Sequence, residues 1–386
     1  MSRELCTANH AAAMAATLAG RANRRARGFG SGVYPITPQT ECIELLCAQT
    51  FEKGHVVRVE SEHSAMAVCI GFSLAGARTF TASSSNGLSY MTENVFMAGF
   101  YRLPIVMMAV NRTLGPPWNI WADHGDTLAL RDAGWIQLYC EDNQEVADTI
   151  LAAYRLAEDP RVLLPVMVCQ DAFILSHTMM MTELPEQALV DAFLPALALP
   201  HRLDERPRVI GGLDFPHETE VHRREQDEAM RRVPEVYRDV QESFSATFGR
   251  ALPHPVVDYC TEDADVVIVS MGTTASTVRE AVDRLRASGI RAGSLRIRMF
   301  RPFPEELVRA YLARARRVAV LDRDLSPGLG GILWSELRPC AAPGAVVQGY
   351  MLGLGGGDIR PDHVTAIVEE LGRRERAGAP SFVEVA

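Results

Sequence analysis

The stretch Ile105-Val106-Met107-Met108-Ala109-Val110-Asn111-Arg112 places six apolar residues directly before a polar turn. A short apolar run bounded by turn signals is typical of a strand buried inside a sheet. Similar runs lie at Thr79 to Ala82 and at Val162 to Cys169, and helical patterns separate them. Buried strands that alternate with helices predict a mostly parallel sheet covered by helices on both faces. The N-terminal half is therefore predicted to be an α/β domain.

A long helix is predicted to end the first domain. From about Leu184 the sequence becomes rich in proline and charge, and an amphipathic helical pattern follows. The apolar residues of this helix fall on one stripe, and they are Val233, Val236, Tyr237, Val240, Phe244 and Phe248. Pro253-His254-Pro255 restricts the backbone, so the helix is expected to end before it. We therefore predict one domain at residues 1–254 and a second at residues 255–386.

The second domain is also predicted to be of the α/β class. The apolar run from Ala264 to Gly272 and the amphipathic pattern to about Arg286 predict a strand, a turn and a helix. Leu295 to Phe300 and Val318 to Leu321 predict further strands, with a helix beginning after Pro304. The general handedness of crossovers then predicts a parallel sheet. Gly353 to Asp358 precedes a proline, so we predict an interface loop there and not a nucleotide motif.

The composition excludes several classes of protein. With 39 Lys and Arg against 48 Asp and Glu, the chain is acidic, which argues against nucleic acid as a partner. Its 8 cysteines form no Cys-x-x-Cys pair, so neither a zinc site nor an iron-sulfur motif is predicted, and reduced thiols are expected. No apolar run has the length needed to cross a membrane. We therefore predict a cytoplasmic protein without membrane contact.

Polar residues follow several of the predicted strands. Thr37, Asn86 and Arg112 each lie in or near a turn of this kind. In open α/β sheets, ligands bind beyond the carboxyl ends of the strands. These three residues are therefore predicted to belong to one site.

Seven segments of the N-terminal half form a combined pattern. They are Tyr34-Pro35-Ile36-Thr37-Pro38, Val59-Glu60-Ser61-Glu62-His63-Ser64-Ala65, Phe80 to Leu88, Arg102 to Met107, Asn111 to Trp121, Arg131 to Gln137 and Asp171 to Thr178. Together they resemble the α-type subunits of the 2-oxoacid:ferredoxin oxidoreductase family, and the pyruvate branch is the nearest. The resemblance implies a thiamine diphosphate-binding domain of the pyrimidine type, followed by a domain similar to the transketolase C-terminal domain.

The resemblance also implies that this chain forms half of an active site. It lacks the Gly-Asp-Gly segment that would bind diphosphate through Mg²⁺, and it lacks cysteine runs for [4Fe-4S] clusters. No metal ligand is predicted here. The family implies partner subunits of the β, γ and δ types, which would hold the metal and the clusters and share the thiamine diphosphate. The implied reaction converts pyruvate and coenzyme A to acetyl-CoA and CO2 and reduces ferredoxin. The reverse reaction, a carbon fixation step of anaerobic metabolism, is the same chemistry.

Glu62 is the implied catalytic residue. By resemblance its carboxylate hydrogen-bonds the aminopyrimidine ring of the cofactor. If the segment is extended, Glu60 and Glu62 share one face, so spacing alone does not choose between them. The family register selects Glu62.

Further site residues follow from the same resemblance. Thr37 and Arg112 are implied substrate-binding residues, and a planar guanidinium suits a carboxylate. Threonine at this position favours a 2-oxoacid with a single carboxylate. Asn86 stands where relatives often have glutamine. The implied cofactor-binding residues are Pro35, Ile36, Glu62, Ser85, Asn86 and Gly87.

Three alternatives to the pyruvate activity stay open. An oxidoreductase for 2-oxoisovalerate or another 2-oxoacid shares nearly all of these segments. A non-catalytic assembly subunit would keep the fold without a working site. An NAD-dependent dehydrogenase is disfavoured, because no strand is followed by Gly-x-Gly-x-x-Gly at the start of a helix.

Overall fold

The chain forms two larger sheets and one small sheet, and a computed structural model describes residues 2–203 and 209–385. In chain order the elements are β1 (Ser2–Cys6), α1 (Ala8–Ala22), β2 (Phe29–Val33), α2 (Thr40–Cys47), β3 (Gly54–Arg58), α3 (Glu62–Leu74), β4 (Arg78–Ser83), α4 (Asn86–Tyr90), α5 (Thr92–Phe100), β5 (Ile105–Asn111), α6 (Gly125–Leu128), β6 (Ile136–Tyr139), α7 (Asn143–Ala157), β7 (Val166–Asp171), β8 (Met180–Leu184), α8 (Gln187–Phe193), α9 (Pro216–Phe248), β9 (Val256–Tyr259), β10 (Val266–Ser270), α10 (Thr274–Ala287), β11 (Ala292–Ile297), β12 (Met299–Arg301), α11 (Glu305–Leu312), β13 (Arg317–Asp322), α12 (Ile332–Leu337), β14 (Val346–Leu352), α13 (Pro361–Gly372) and β15 (Ser381–Val383). Short 3-10 helices lie at Arg338–Cys340 and Leu354–Gly356.

The first sheet has seven strands in the order β12-β6-β7-β5-β4-β2-β3. Its pairings are parallel, except that β12 runs antiparallel to β6. Successive side chains of a strand point to opposite faces. In β5, Val106, Met108 and Val110 therefore belong to one apolar core, while Ile105, Met107 and Ala109 belong to the other. The run of six apolar residues is explained by burial on both faces of the sheet.

The second sheet has six strands in the order β15-β14-β13-β10-β11-β9. Its pairings are parallel, except that β9 runs antiparallel to β11. The predicted α/β class is therefore confirmed for both halves of the chain. The predicted boundary at residue 254 lies between α9 and β9, and it stays a prediction.

The prediction of a single strand from Leu295 to Phe300 was wrong. The chain divides there into β11, which belongs to the second sheet, and β12, which joins the first. Arg298 lies between the two strands and is fully buried against the first half of the chain, where it bonds to Glu145 at 2.5 Å and to Thr149 at 2.7 Å. This buried ion pair holds the segment against the first half of the chain, where Met299 and Arg301 pair with β6.

The start of β7 differs from its prediction, whereas α9 agrees with its prediction. The predicted strand from Val162 begins only at Val166, because Leu163 has a positive φ of 46° and turns the chain. The stripe of six apolar residues on α9 is buried as predicted. Helix α9 ends before Gly249, which has a φ of 73° and forms a left-handed C-terminal cap.

No helix among residues 2–203 and 209–385 is both long enough and apolar enough to cross a membrane.

Candidate active site

Four neighbouring parallel strands end at the predicted site. They are β5, β4, β2 and β3, in their order across the sheet. The turn after each strand contains predicted site residues: Arg112 after β5, Ser85 to Gly87 after β4, Pro35 to Thr37 after β2 and Glu62 after β3. Parallel strands place their carboxyl ends at one edge of the sheet, and that edge is where ligands bind in this class of fold.

Glu62 is a buried carboxylate at the first position of α3. Ser61 caps the helix, and its hydroxyl accepts a hydrogen bond from the amide of Ser64 at 3.2 Å. Glu62 is 7% exposed, and in the part of the chain that the structure describes no other residue pairs with its carboxylate. Burial raises the pKa of Glu62, and its own backbone N-H offsets this only in part. An acid held in this way is suited to a ligand that supplies the missing donor.

Glu60 has different surroundings. It is exposed, and the hydroxyl of Ser64 donates a hydrogen bond to it, which lowers the pKa of Glu60. The expectation that Glu60 and Glu62 share one face of an extended segment was wrong, because the helix begins at Glu62 and turns the two side chains apart.

Gly87 packs directly against the side chain of Glu62. A Cβ atom at this position would lie 2.7 Å from Oε1 of Glu62 and 2.5 Å from Oγ of Ser83. The Ser83 hydroxyl is fully buried, and it has no hydrogen-bond partner within residues 2–203 and 209–385. Buried polar groups are nearly always paired. The unpaired Glu62 carboxylate is therefore a polar group that a ligand such as an aminopyrimidine ring would satisfy.

Arg112 keeps part of its guanidinium group available. Its Nε donates to the carbonyl of Asn119 at 2.9 Å, and its Nη1 donates to the carbonyl of Thr37 at 2.7 Å. Nη2 has no bonding partner among the described residues. The side chain is 9% exposed, and burial lowers its pKa, although arginine keeps its charge in proteins. A positive charge held by two carbonyls, with one donor free, suits a small carboxylate ligand.

Thr37 and the two residues before it lie in the turn after β2. The Thr37 side chain is exposed, while its carbonyl holds Arg112. Pro35 is exposed and Ile36 is half-buried. Pro35 and Val59 line a small cavity of about 190 Å³, so the turns after β2 and β3 lie together.

Ser85 and Asn86 bond to the chain itself. The Ser85 hydroxyl donates to the carbonyl of Thr113 at 2.5 Å. Nδ2 of Asn86 donates a hydrogen bond to the carbonyl of Gly115 at 3.0 Å, and Oδ1 of Asn86 accepts one from the amide of Gly115 at 2.9 Å. These side chains therefore connect the loop after β4 to the loop after β5.

Asp126 is a site residue that sequence reasoning missed. It is 2% exposed and accepts hydrogen bonds from the amides of Ser85 and Arg112. Burial raises the pKa of Asp126 to about 6 in spite of these bonds. No local pattern distinguished it, since acidic residues are common in the first turn of a helix, as Asp126 is in α6.

The second half of the chain supports the same region. His124 pairs with Asp171 at 2.7 Å, and Asp171 accepts hydrogen bonds from the backbone and hydroxyl of Thr273. Burial alone would raise the pKa of Asp171, but His124 and Arg323 outweigh it and hold the pKa below its usual range. The amide of Asn119 donates to the carbonyl of Gly355 at 3.1 Å, so the glycine-rich loop lies at an interface, as predicted.

Two family models match the chain. Residues 25–242 match the pyruvate flavodoxin/ferredoxin oxidoreductase family, described as thiamine diphosphate-binding. Residues 264–364 match core domain II of pyruvate:ferredoxin oxidoreductase.

Curated relatives cover most of the chain. The pyruvate synthase subunit PorA of Methanocaldococcus jannaschii is 45% identical over 350 residues, which is 89% of this chain and 90% of that protein. The same subunit of Thermotoga maritima is 44% identical, over 87% of this chain and 88% of that protein. The ketoisovalerate oxidoreductase subunit VorA of Pyrococcus horikoshii is 40% identical, over 97% of this chain and 95% of that protein.

Solved structures share the fold. The 2-oxoglutarate:ferredoxin oxidoreductase of Magnetococcus marinus, solved with 2-oxoglutarate, coenzyme A and succinyl-CoA, has a TM-score of 0.73 at 22% identity. The match covers 95% of this chain and 65% of that one, so the chain spans just under two thirds of its length. An inactive split-gene transketolase has a TM-score of 0.58 at 14% identity.

Proposed function

We propose, since this chain belongs to the pyruvate flavodoxin/ferredoxin oxidoreductase family, that it is the α-type subunit of a pyruvate:ferredoxin oxidoreductase. The complete enzyme would convert pyruvate, coenzyme A and two oxidised ferredoxins to acetyl-CoA, CO2 and two reduced ferredoxins, with release of a proton. The identity of 45% with a pyruvate synthase subunit over 89% of the chain supports this proposal. The chain would act only together with its partner subunits.

The unpaired carboxylate of Glu62 is the observation on which the proposal chiefly depends. Glu62 would donate or share its proton with the ring nitrogen of the aminopyrimidine, and Gly87, which has no side chain, would let the Glu62 carboxyl group lie close to its backbone. Pro35 and Ile36 would border the cofactor, while Ser85 and Asn86 would hold the loop beside it. Thiamine diphosphate, when bound, supplies the carbon nucleophile that attacks the 2-oxo carbon of the substrate. A low-polarity surrounding strengthens the hydrogen bond of Glu62 and excludes water from it.

Arg112 and Thr37 would bind the substrate. The free Nη2 of Arg112 would donate to the substrate carboxylate, and the two carbonyls that hold the guanidinium would fix its direction. The exposed Thr37 hydroxyl would bond to the same small molecule. The side chain of Thr37 adds no positive charge, which favours a 2-oxoacid with one carboxylate.

The remaining chemistry would belong to partner subunits. We propose that β, γ and δ types of subunit hold Mg²⁺, the diphosphate and the [4Fe-4S] clusters, and that ferredoxin is the electron acceptor. The structural neighbour from Magnetococcus marinus was solved with coenzyme A, which supports coenzyme A as the acyl acceptor.

A second substrate has support from the relatives. The ketoisovalerate oxidoreductase subunit is 40% identical over 97% of the chain, so a branched 2-oxoacid is the alternative to pyruvate. The same residues would act on either substrate, because both have one carboxylate beside a 2-oxo carbon.

The test uses the complex purified anaerobically with its own partners. We expect reduction of a viologen dye that requires coenzyme A and prefers pyruvate to 2-oxoisovalerate. Glu62→Gln should lower kcat by at least about 100-fold, in the range found for the loss of one catalytic acid-base group. Glu60→Gln is the matched control and should keep the activity. A fully active Glu62→Gln complex would refute the role of Glu62, and preference for the branched acid would change only the substrate.

A further inference from the structure

We propose that Asp126 is a positioning residue that holds the cofactor loop and the substrate loop in one fixed arrangement. The cofactor loop is Ser85 to Gly87, after β4, and the substrate loop is Arg112 to Gly115, after β5. The functional names of the two loops rest on the proposed function, whereas the contacts of Asp126 do not. Asp126 touches neither ligand directly in this assignment and acts through the two loops.

One carboxylate oxygen joins the two loops. Oδ2 of Asp126 accepts a hydrogen bond from the amide of Ser85 at 2.9 Å and another from the amide of Arg112 at 3.0 Å. Ser85 directly precedes Asn86 and Gly87, and Arg112 is the predicted substrate ligand. A displacement of this single oxygen would therefore move both halves of the site together.

The other oxygen fixes the carboxylate itself. Oδ1 accepts from the side-chain amide of Asn111 at 2.8 Å and from the backbone amide of Thr127 at 2.8 Å. All four donors are neutral N-H groups, and hydrogen bonds to a charged acceptor are stronger than those between neutral groups. Asp126 is fully enclosed, so water has no access to replace a lost bond.

The backbone conformation of Ser85 needs hydrogen bonds to hold it in place. Its φ of 50° and ψ of -124° lie outside the regions that residues with a side chain ordinarily adopt. Such a conformation persists only where the surroundings over-determine it. The bond from its amide to Asp126 and the bond from its hydroxyl to Thr113 together supply that constraint.

The short segment that contains Asp126 is itself anchored to the second half of the chain. The amide of His124 donates to the carbonyl of Arg323 at 2.9 Å, and the His124 ring pairs with the buried Asp171. Asp171 in turn accepts from Thr273. The position of Asp126, and through it the position of both loops, therefore depends on the second sheet.

The test compares Asp126→Asn with Asp148→Asn in the complete complex. An asparagine keeps one oxygen and replaces the other by a donor, so two of the four N-H groups lose their acceptor whichever way the amide lies. Asp148 is the matched control. Like Asp126, it is a buried aspartate. Its partner is the charged Arg250, at 2.8 Å, and it bonds to no residue of either loop.

Two readouts separate positioning from general stability. We expect Asp126→Asn to raise hydrogen exchange in peptides spanning both loops, and to raise by at least about tenfold both the KM for pyruvate and the thiamine diphosphate concentration for half-saturation. Asp148→Asn should lower the melting temperature while both loops and both constants stay unchanged. Exchange that rises in only one loop, or constants that Asp126→Asn leaves unchanged, would overturn the proposal.

The wild-type complex supplies a measurement that does not depend on any variant. The amides of Ser85 and Arg112 should exchange slowly in it, because both are bonded to the carboxylate. Rapid exchange at either amide would overturn the proposal even if Asp126→Asn fails to assemble. If the wild-type complex oxidises no 2-oxoacid but the variant loosens both loops, the proposed function fails and the role of Asp126 stands.

Discussion

Replacing Gly87 with alanine should weaken cofactor binding without unfolding the protein. The new methyl group would lie 2.7 Å from Oε1 of Glu62 and 2.5 Å from Oγ of Ser83. Both distances are shorter than van der Waals contact. The Ser83 hydroxyl and the Glu62 carboxylate must therefore both move, and Glu62 is the implied contact of the cofactor.

The size of the effect follows from this overlap. Adding a methylene-sized group to a closely packed position costs about 1–3 kcal/mol. If that free energy is taken from the binding of the cofactor, the thiamine diphosphate affinity falls by roughly 5- to 150-fold. Gly87 lies in the first turn of α4, where alanine is a better helix former than glycine, so the backbone should tolerate the change.

The assay is a titration of cofactor-free complex with thiamine diphosphate, followed by intrinsic tryptophan fluorescence and by the recovery of viologen reduction. The matched control is Gly71→Ala. Gly71 lies in α3, the same helix as Glu62, and a Cβ atom there would meet nothing within 4 Å. Equal cofactor affinities for both variants and the wild type would refute the assignment of Gly87 and Glu62 to the cofactor site.

Further predictions concern charge at the site. Arg112→Lys should raise the KM for pyruvate by at least about tenfold, or roughly 1.4 kcal/mol, because a single ammonium nitrogen cannot take the separate positions of Nε, Nη1 and Nη2. Steady-state kinetics with the exposed Arg25→Lys as control would test this, and an unchanged KM would exclude Arg112 from the site. Glu62→Gln should make the protein more stable by roughly 1 kcal/mol at pH 8, because it removes an unpaired buried charge. The folded-state pKa of Glu62 is raised, so the ionised form destabilises the fold above that pKa, and the gain of the variant should shrink as the pH falls through it. Melting temperatures of both proteins between pH 8 and pH 4 would show this, and a difference that stays constant over that range would contradict it.

Local pattern was sufficient for the strands and for several site positions. The apolar run that ends at Val110 is buried on both faces, and such burial leaves a continuous apolar signature that needs no knowledge of distant residues. Turns that follow parallel strands meet at one edge of the sheet, and Thr37, Asn86 and Arg112 follow three neighbouring strands there. Arg112 bonds to the carbonyl of Thr37, and Asn86 bonds to the backbone of Gly115 in the loop after Arg112, while the assignment of the three residues to one site stays a prediction.

The roles of single side chains depend on contacts between segments far apart in the chain. Glu60 and Glu62 are chemically alike and their spacing does not choose between them; the family resemblance selects Glu62, and the structure shows that it is buried while Glu60 is exposed. The role of Asp126 follows from four amide groups in three segments of the chain, namely the loop after β4, the end of β5 and its own helix α6.

By itself, the sequence determined the α/β class, because apolar periodicity and turn residues are properties of neighbouring residues. The resemblance of seven short segments indicated the family, and the turns after the strands predicted the edge of the sheet for the site. Only the tertiary structure decided that Glu62 stays unpaired and that Asp126 joins two loops. It also decided that β12 pairs in the first sheet while β11, just before it in the chain, pairs in the second. Burial and long-range hydrogen bonds set the pKa and the partners of a side chain. Both arise only when segments that are distant in the chain pack together.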